Sequence, residues 1–326
     1  MKPSEIQTAL ELLIEIRQPV FIWGPPGVGK SQVVAQTAAA HNLELIDIRA
    51  ILLDPVDLRG LPVIENGRSQ WSIPSFLPTD GEGLLFLDEL NAAPPLVQAS
   101  CYQLVLDRRL GEYELPPGWS IVAAGNRESD RAVTHRMPSA LANRFVHLDF
   151  TVDLDEWLLW AEEQEVAPEL IAFLRFRPGL LHDFDPGRSS KAFPTPRSWE
   201  FASKIVKTSK GGKILKELLG GTLGEGAAGE LIGFLNIWQN LPRIEDIFDN
   251  PDGIEISEDP AVLYAICEMV GRAATKKDGA AIFKFADRLP TEFSVLLVRE
   301  SVRHCKALAG LDEFNSWAGK NSRVLV

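Results

Sequence analysis

The chain has 326 residues and a formal net charge of −12, a length that suits one large domain with a smaller one. The acidic balance argues against a broad face that follows duplex DNA, although it leaves a local basic channel open. Three cysteines lie far apart with no CxxC pair, so we expect reduced thiols and a cytoplasmic protein. No stretch reaches the roughly 20 apolar residues that span a bilayer, and glutamates interrupt the N-terminal segment where a signal peptide would be apolar.

The first half of the chain alternates short apolar strands with helical patterns. Helices follow the first and third strands in particular. This alternation predicts an α/β fold with five buried parallel strands between helices, as in a mononucleotide-binding core over residues 1–152. The predicted strands are PVFIWG (19–24), LELIDI (43–48), GLLFLDE (83–89), WSIVAAGN (119–126) and FVHLDF (145–150).

From about residue 153 the pattern becomes helical, which predicts an all-helical second domain over residues 153–326. Residues 183–196 and the glycine-rich residues 220–226 are typical of linkers, and the acidic residues 244–260 of a solvated loop. The predicted helices are DLDEWLLWAEEQ, PELIAFLRF, PRSWEFASKIVKT, AAGELIGFLNIWQ, PAVLYAICEMVG and GAAIFKFADRL.

The strongest motif is GPPGVGKS, which follows the first strand and opens a helical segment. Glycines let the backbone wrap around a phosphate at a helix start, Lys30 would neutralise the β- and γ-phosphates, and Ser31 would ligate magnesium. An ordinary strand-to-helix turn explains the glycines but not the lysine and hydroxyl at these offsets. The predicted ATP-binding residues are Gly24, Pro25, Pro26, Gly27, Val28, Gly29, Lys30, Ser31 and Gln32.

Two later strands end in polar residues that complete such a site. Asp88 would hold magnesium, and Glu89 would orient and deprotonate the attacking water. Asn126 ends a further strand, where its amide would contact the γ-phosphate or the water. The alternatives are that the acidic pair caps a helix and that Asn126 only begins a turn.

Together these motifs resemble the AAA+ superfamily, and within it the MoxR-type ATPases. Further matches are DPVDLRGLP (54–62), LLFLDELNAAPPLVQ (84–98) and PSALANRF (138–145). The resemblance implies that Asn126 is sensor 1, that Arg144 is an arginine finger reaching a neighbour's nucleotide, and that Arg197 is sensor 2 of a helical lid. It also implies a homo-oligomeric ring, which we expect to be a hexamer. Each arginine has a plainer alternative as a solvated surface cation.

Two insertions fit a ring. Residues 57–76 contain a turn at ENGR between strand-like pieces, and RRLGEYELPPG (108–118) predicts a second hairpin. The resemblance implies that such segments face a central pore. Leu58, Arg59 and Trp71 are candidate substrate contacts, with packing under the hairpin as the alternative for Trp71.

Three functions compete for this sequence. The resemblance favours a chaperone-like ATPase that remodels a protein partner, typically one with a von Willebrand factor A domain. A DNA-translocating motor is the second, weakened by the acidic balance and by the lack of a basic stretch interleaved with aromatic residues. A nucleotide-dependent switch without turnover is the third, and Glu89 argues against it.

Overall fold

The computed structural model describes residues 1–130, 135, 137–188, 191–209 and 211–321. Its described residues form two compact units. Most of the first unit is residues 1–157, joined by residues 184–188 and 195–197, and the second unit takes the rest. Among the described residues, no helix combines the length and the apolar character needed to cross a membrane.

The first unit carries all the described strands. Its elements in chain order are α1 (Pro3–Glu15), β1 (Val20–Trp23), α2 (Lys30–Ala40), β2 (Glu44–Arg49), α3 (Pro55–Arg59), β3 (Leu61–Glu65), β4 (Arg68–Ser72), β5 (Glu82–Asp88), α4 (Pro95–Asp107), β6 (Arg109–Leu110), β7 (Tyr113–Glu114), β8 (Gly118–Gly125), α5 (Ser139–Ala142) and β9 (Val146–Asp149).

Five of these strands form one parallel sheet in the order β2-β5-β8-β1-β9, which confirms the predicted α/β fold. The three central strands are buried almost throughout. The prediction of five buried strands is wrong for the two edges, because β2 buries only Ile48 and β9 only Leu148. An edge strand has one neighbour instead of two, so its side chains are covered less completely.

The sheet positions a functional site at the carboxyl ends of β1, β5 and β8, the edge where parallel sheets usually bind ligands. β1 leads into the GPPGVGK loop, and α2 begins at Lys30. Gly29 has φ 105° just before that helix, a conformation that glycine adopts without the steric cost of a side chain.

Both predicted hairpins are confirmed. β3 pairs with β4 through a turn in which Asn66 and Gly67 have positive φ, and β6 pairs with β7. Leu58 is wrong as a substrate contact because it is 1% exposed and packs in the core of the first unit. Arg59 is exposed and Trp71 is 39% exposed, so both stay predictions.

The chain continues as helices, with α6 and α8 beginning in the first unit. The helices are α6 (Leu154–Glu163), α7 (Pro168–Phe176), α8 (Pro196–Thr208), α9 (Lys213–Leu223), α10 (Glu225–Gln239), α11 (Ile244–Asp249), α12 (Pro260–Ala273), α13 (Gly279–Ala286), α14 (Thr291–His304) and α15 (Asp312–Asn321).

Two loop predictions in the helical region are wrong. Residues 220–223 end α9, and the break before α10 is the single residue Gly224, with φ 83°. Residues 244–249 form α11, which buries Ile247 in the core of the second unit. In both places tertiary packing outweighs the local preference of glycines or acidic residues for loops.

The sequence pattern did not predict α14, and its packing accounts for this. Glu300 faces inward with its side chain 2% exposed and accepts a hydrogen bond from Arg175 of α7 at 2.7 Å. Arg175 also pairs with Glu268 of α12 at 3.3 Å. A buried charge breaks the apolar period that marks a helix, and it is tolerated only because it is paired.

Candidate nucleotide-binding site

Lys30 is held at the centre of the loop that follows β1. Its ammonium group donates to the carbonyl oxygens of Gly24 at 2.6 Å and Pro25 at 2.9 Å, and to Asn126 Oδ1 at 3.0 Å. The residue is 9% exposed. Burial lowers the pKa of Lys30 to about 8, and the negative charge of Asp88 only partly offsets that effect. An anion that approaches this buried ammonium group would stabilise its charged form.

The first residues of α2 meet the end of β5 beside this lysine. The Ser31 hydroxyl donates to Asp88 Oδ2 at 2.8 Å. A hydroxyl and a carboxylate are hard oxygen donors of the kind that Mg²⁺ prefers. The two predicted metal ligands are thus together, and their donor set fits magnesium.

Glu89 directly follows β5 with an unusual backbone. Its φ is 55° and ψ 34°, in the left-handed region that residues with a side chain rarely adopt. The backbone N–H of Glu89 donates to Asp88 Oδ1 at 2.9 Å. Such a conformation costs on the order of 1 kcal/mol or more and concentrates at functional sites. It ends the extended conformation of β5 directly after Asp88.

Asn126 is fixed by a residue to which the sequence assigned no role. Asn91 is 2% exposed, and its Nδ2 donates to the carbonyl oxygen of Asn126 at 2.7 Å. The Asn91 side chain lies against Gly125, where an added Cβ would be 2.0 Å from Asn91 Oδ1. The glycine is therefore required for Asn91 to reach Asn126, which itself contacts Lys30.

We expect Gly125→Ala to disturb the site through this contact. The new methyl group must displace Asn91, which releases the Asn126 carbonyl and overpacks the core, at a cost of about 1–3 kcal/mol in the free energy of unfolding. ATP turnover should fall as well. Urea unfolding and a turnover assay measure the two effects.

Gly229→Ala in α10 is the matched control, because nothing lies within 4 Å of a Cβ added there. An alanine in the middle of a helix should leave stability unchanged or raise it by about 0.4–1 kcal/mol. Wild-type stability and turnover in the Gly125→Ala protein would contradict the role of Asn91.

Arg197 reaches the same loop from a distant part of the sequence. Its backbone N–H donates to the carbonyl oxygen of Gly27 at 3.2 Å. Two residues earlier, the buried Thr195 lies so close to Gly27 that a Cβ there would be 2.8 Å from Thr195 Oγ1. The charge of Arg197 also lowers the pKa of Lys30, so the arginine acts electrostatically on the lysine at the centre of the site.

Arg144 lies away from this cluster. It is exposed and follows α5, directly before Phe145 and the edge strand β9. Its backbone carbonyl accepts a hydrogen bond from Gln18 Nε2 at 3.2 Å. The structure therefore places Arg144 on the surface at the margin of the sheet.

Most residues of the cluster are thus predicted by the sequence, but the residues that support them are not. Asn91 belongs to the quoted LLFLDELN string, and Thr195 to the PTPRSWE string, yet neither string tells which neighbour the residue contacts. Asp130 was also missed, although its charge raises the pKa of Lys30. Only the fold brings these positions to the loop.

The segment that carries this site is similar to known proteins. Residues 19–145 match the AAA domain of the dynein-related subfamily. Protein NorQ of Paracoccus denitrificans (strain Pd 1222) is 30% identical over 141 residues, which are 40% of this chain and 52% of NorQ. The match therefore spans about half the length of that relative.

Two solved structures are similar at a greater distance. NtrX from Brucella abortus in complex with ATP is 14% identical with a TM-score of 0.43, over 99% of this chain and 68% of that chain. A single-residue variant of RuvB from Thermotoga maritima is 17% identical with a TM-score of 0.41, over 82% and 81%. Likenesses this distant do not bear on function.

The matched segment starts just before β1 and ends at Phe145. It therefore contains every residue of the cluster except Thr195 and Arg197. A parallel sheet with this loop and acidic strand end lies in the segment that matches the AAA domain, so residues 19–145 are similar to the AAA+ class of proteins. Within that class, the motifs of this chain resemble those of the MoxR-type ATPases.

Proposed function

We propose that this chain binds ATP with magnesium at residues 24–32 and hydrolyses it. The observation that carries the proposal is the joined cluster at one end of the sheet, in which Lys30 bonds to Asn126 and Ser31 bonds to Asp88. Four residue types that a phosphoryl-transfer site requires thus converge from three separate strand ends.

In this proposal Ser31 and Asp88 would hold the magnesium ion. The ion supplies neutralising charge on the phosphates. Lys30 exchanges its carbonyl partners for the β- and γ-phosphate oxygens, and the backbone of the glycine loop follows the phosphate chain. The exchange is favourable because a buried ammonium group gains more from full negative charges than from carbonyl dipoles.

The hydrolytic step is assigned to the residues at the strand ends. Glu89 accepts a proton from the attacking water, and Asn126 aligns that water or the γ-phosphate. Arg197 acts on the nucleotide of its own chain, which is supported by its backbone bond to Gly27. Arg144 acts on the nucleotide of a neighbouring subunit, which is supported by its exposed position beside the edge strand.

The proposed biological role rests on the resemblance of the motifs to those of MoxR-type ATPases. We propose a cytoplasmic homo-oligomeric ring, in hexameric form, whose residues 1–152 act as the ATPase core and whose residues 153–326 act as a helical lid. The ring remodels a protein partner with a von Willebrand factor A domain. The content of the adjacent reading frames tests the class of partner, and turnover stimulated by duplex DNA would point to a translocating motor instead.

We expect ATP with magnesium to drive assembly of the ring. The phosphates would lie at a subunit junction where a neighbour's Arg144 adds binding energy that a monomer lacks. ADP, without the γ-phosphate, should support assembly less well. Mass photometry of the Glu89→Gln protein, which keeps ATP intact, measures this directly. A protein that stays monomeric at micromolar concentration with ATP and magnesium would refute the proposal.

A further inference from the structure

Four aromatic rings from β1 and the region of β9 form a cluster on one face of the sheet. The ring centroids of Phe21 and Trp23 are 4.2 Å apart, and those of Trp23 and His147 are 6.0 Å apart with the planes nearly parallel at 25°. Phe145 meets Phe21 edge-on at 5.5 Å. The cluster joins the strand that precedes the nucleotide loop to the segment that carries Arg144.

Both ring nitrogens of His147 are engaged in this cluster. The Trp23 indole Nε1 donates to His147 Nδ1 at 2.8 Å. Because an indole N–H can only donate, Nδ1 must be the acceptor, and the ring hydrogen lies on Nε2. His147 Nε2 is 2.8 Å from the carbonyl oxygen of Ala142, so it donates there. The histidine thus bridges Trp23 and the end of α5 in one defined tautomer.

This bridge is one of several attachments around Arg144. His147 binds the carbonyl of Ala142, two residues before it. Gln18 Nε2 binds the carbonyl of Arg144 itself at 3.2 Å. The ring of the next residue, Phe145, packs on Phe21 and is 7% exposed. The backbone of Arg144 is therefore fixed on both sides while its side chain stays exposed.

The other end of the bridge leads into the nucleotide loop. Trp23 is the last residue of β1, and Gly24 after it begins the loop. The Gly24 backbone N–H donates to the Gly125 carbonyl at 3.2 Å, and its carbonyl accepts from Lys30. A short path of bonded residues therefore runs from Lys30 through Trp23 and His147 to the segment that carries Arg144.

We propose that His147 is a positioning residue that sets the placement of Arg144 for the neighbouring subunit and couples it to the subunit's own nucleotide loop. The inference rests on the proposed function of Arg144 in trans. The new element is that His147 holds the arginine in place. A subunit that lacks His147 should therefore fail to support hydrolysis in its neighbour although its own nucleotide-binding residues are intact.

The test begins with His147→Phe, which keeps an aromatic ring on the edge strand and removes both nitrogen contacts. A misplacement of about 1 Å in a group that acts on the transition state can cost about a hundredfold in rate, so we expect turnover to fall about ten- to a hundredfold with ATP affinity unchanged. His147→Gln, whose amide can still donate to Ala142, should recover part of the loss. His41→Phe, at the far end of α2 beside Glu11, is the matched control with unchanged turnover.

A spectroscopic readout reports the bond itself. The indole N–H signal of Trp23 in a ¹H–¹⁵N spectrum is assigned by its loss in Trp23→Phe. That signal should move in His147→Phe, because its acceptor is gone, and stay in place in His41→Phe. An unmoved Trp23 signal in His147→Phe would overturn the bridge.

Subunit mixing separates this role from a defect in the variant's own site. Lys30→Ala subunits carry an intact Arg144 segment, so mixing them with His147→Phe subunits should raise activity above the sum of the two separate rates. Mixing His147→Phe with Arg144→Ala should bring no such gain. If Arg144→Ala regains activity with Lys30→Ala but His147→Phe does not, the inference is wrong and the proposed function stands. If neither pair regains activity despite shown co-assembly, action in trans fails, and the inference fails with it.

Discussion

Replacing Arg144 by alanine is expected to lower ATP turnover about a thousandfold while ATP affinity stays nearly normal. An arginine finger stabilises the charge that develops on the transferred phosphoryl group, and its removal has effects of this size in other phosphate-transfer enzymes. The interaction is formed in the transition state, so its loss should appear in the turnover number and not in ground-state binding. Single-turnover hydrolysis and a fluorescent-nucleotide titration measure the two quantities.

Arg243→Ala is the matched control for this variant. Arg243 is an exposed arginine of the helical region whose guanidinium pairs with Asp246 at 2.9 Å, an exposed ion pair of the kind that contributes little to stability. Its replacement should leave turnover unchanged. An Arg144→Ala protein that loses affinity in proportion to its turnover would contradict the finger role.

The second large effect distinguishes the role of Lys30 in ATP binding from the role of Glu89 in hydrolysis. Lys30→Ala should abolish ATP binding, because the phosphates would lose the cation that compensates their charge. Glu89→Gln should keep ATP bound while hydrolysis collapses, because the neutral amide cannot accept the proton of the attacking water. Glutamine has nearly the shape of glutamate, so this change removes the base with little other disturbance to the turn after β5.

Equilibrium titration with a fluorescent ATP analogue, beside steady-state hydrolysis, distinguishes the two variants. Circular dichroism is required for Lys30→Ala, because the native ammonium group donates three hydrogen bonds within the site. Equal losses of affinity in two folded variants would show that Glu89 binds the ground state and is not the base.

The sequence predicted best where local signals and the fold agree. The bounds of α7 and α8 are those of the predicted PELIAFLRF and PRSWEFASKIVKT segments. Each begins with a proline, which suits the first turn of a helix. The phosphate loop was equally clear, because an ordinary turn between a strand and a helix does not require glycines, lysine and serine at these fixed offsets.

The sequence predicted less where the outcome depends on distant packing. Leu58 lies next to an exposed arginine, and only its neighbours in three dimensions make it a core residue. The sequence did not predict α14 because Glu300 interrupts its apolar pattern. The charge of Glu300 is compensated by Arg175, which lies 125 positions earlier in the chain. The role of Asn91 depends on the absence of a side chain at Gly125, which lets the Asn91 side chain pack there. No spacing rule in the sequence reveals this contact.

We propose that ATP is hydrolysed between subunits, by the loop of one chain and Arg144 of the next. Mixing folded Arg144→Ala and Lys30→Ala subunits tests it most directly, because the first keeps the loop and the second keeps the arginine. Neither preparation alone should hydrolyse ATP appreciably. After subunit exchange, a mixed ring places an intact arginine beside an intact loop, and activity should reappear. Continued inactivity in rings shown to contain both variants would mean that Arg144 serves its own subunit or only the fold.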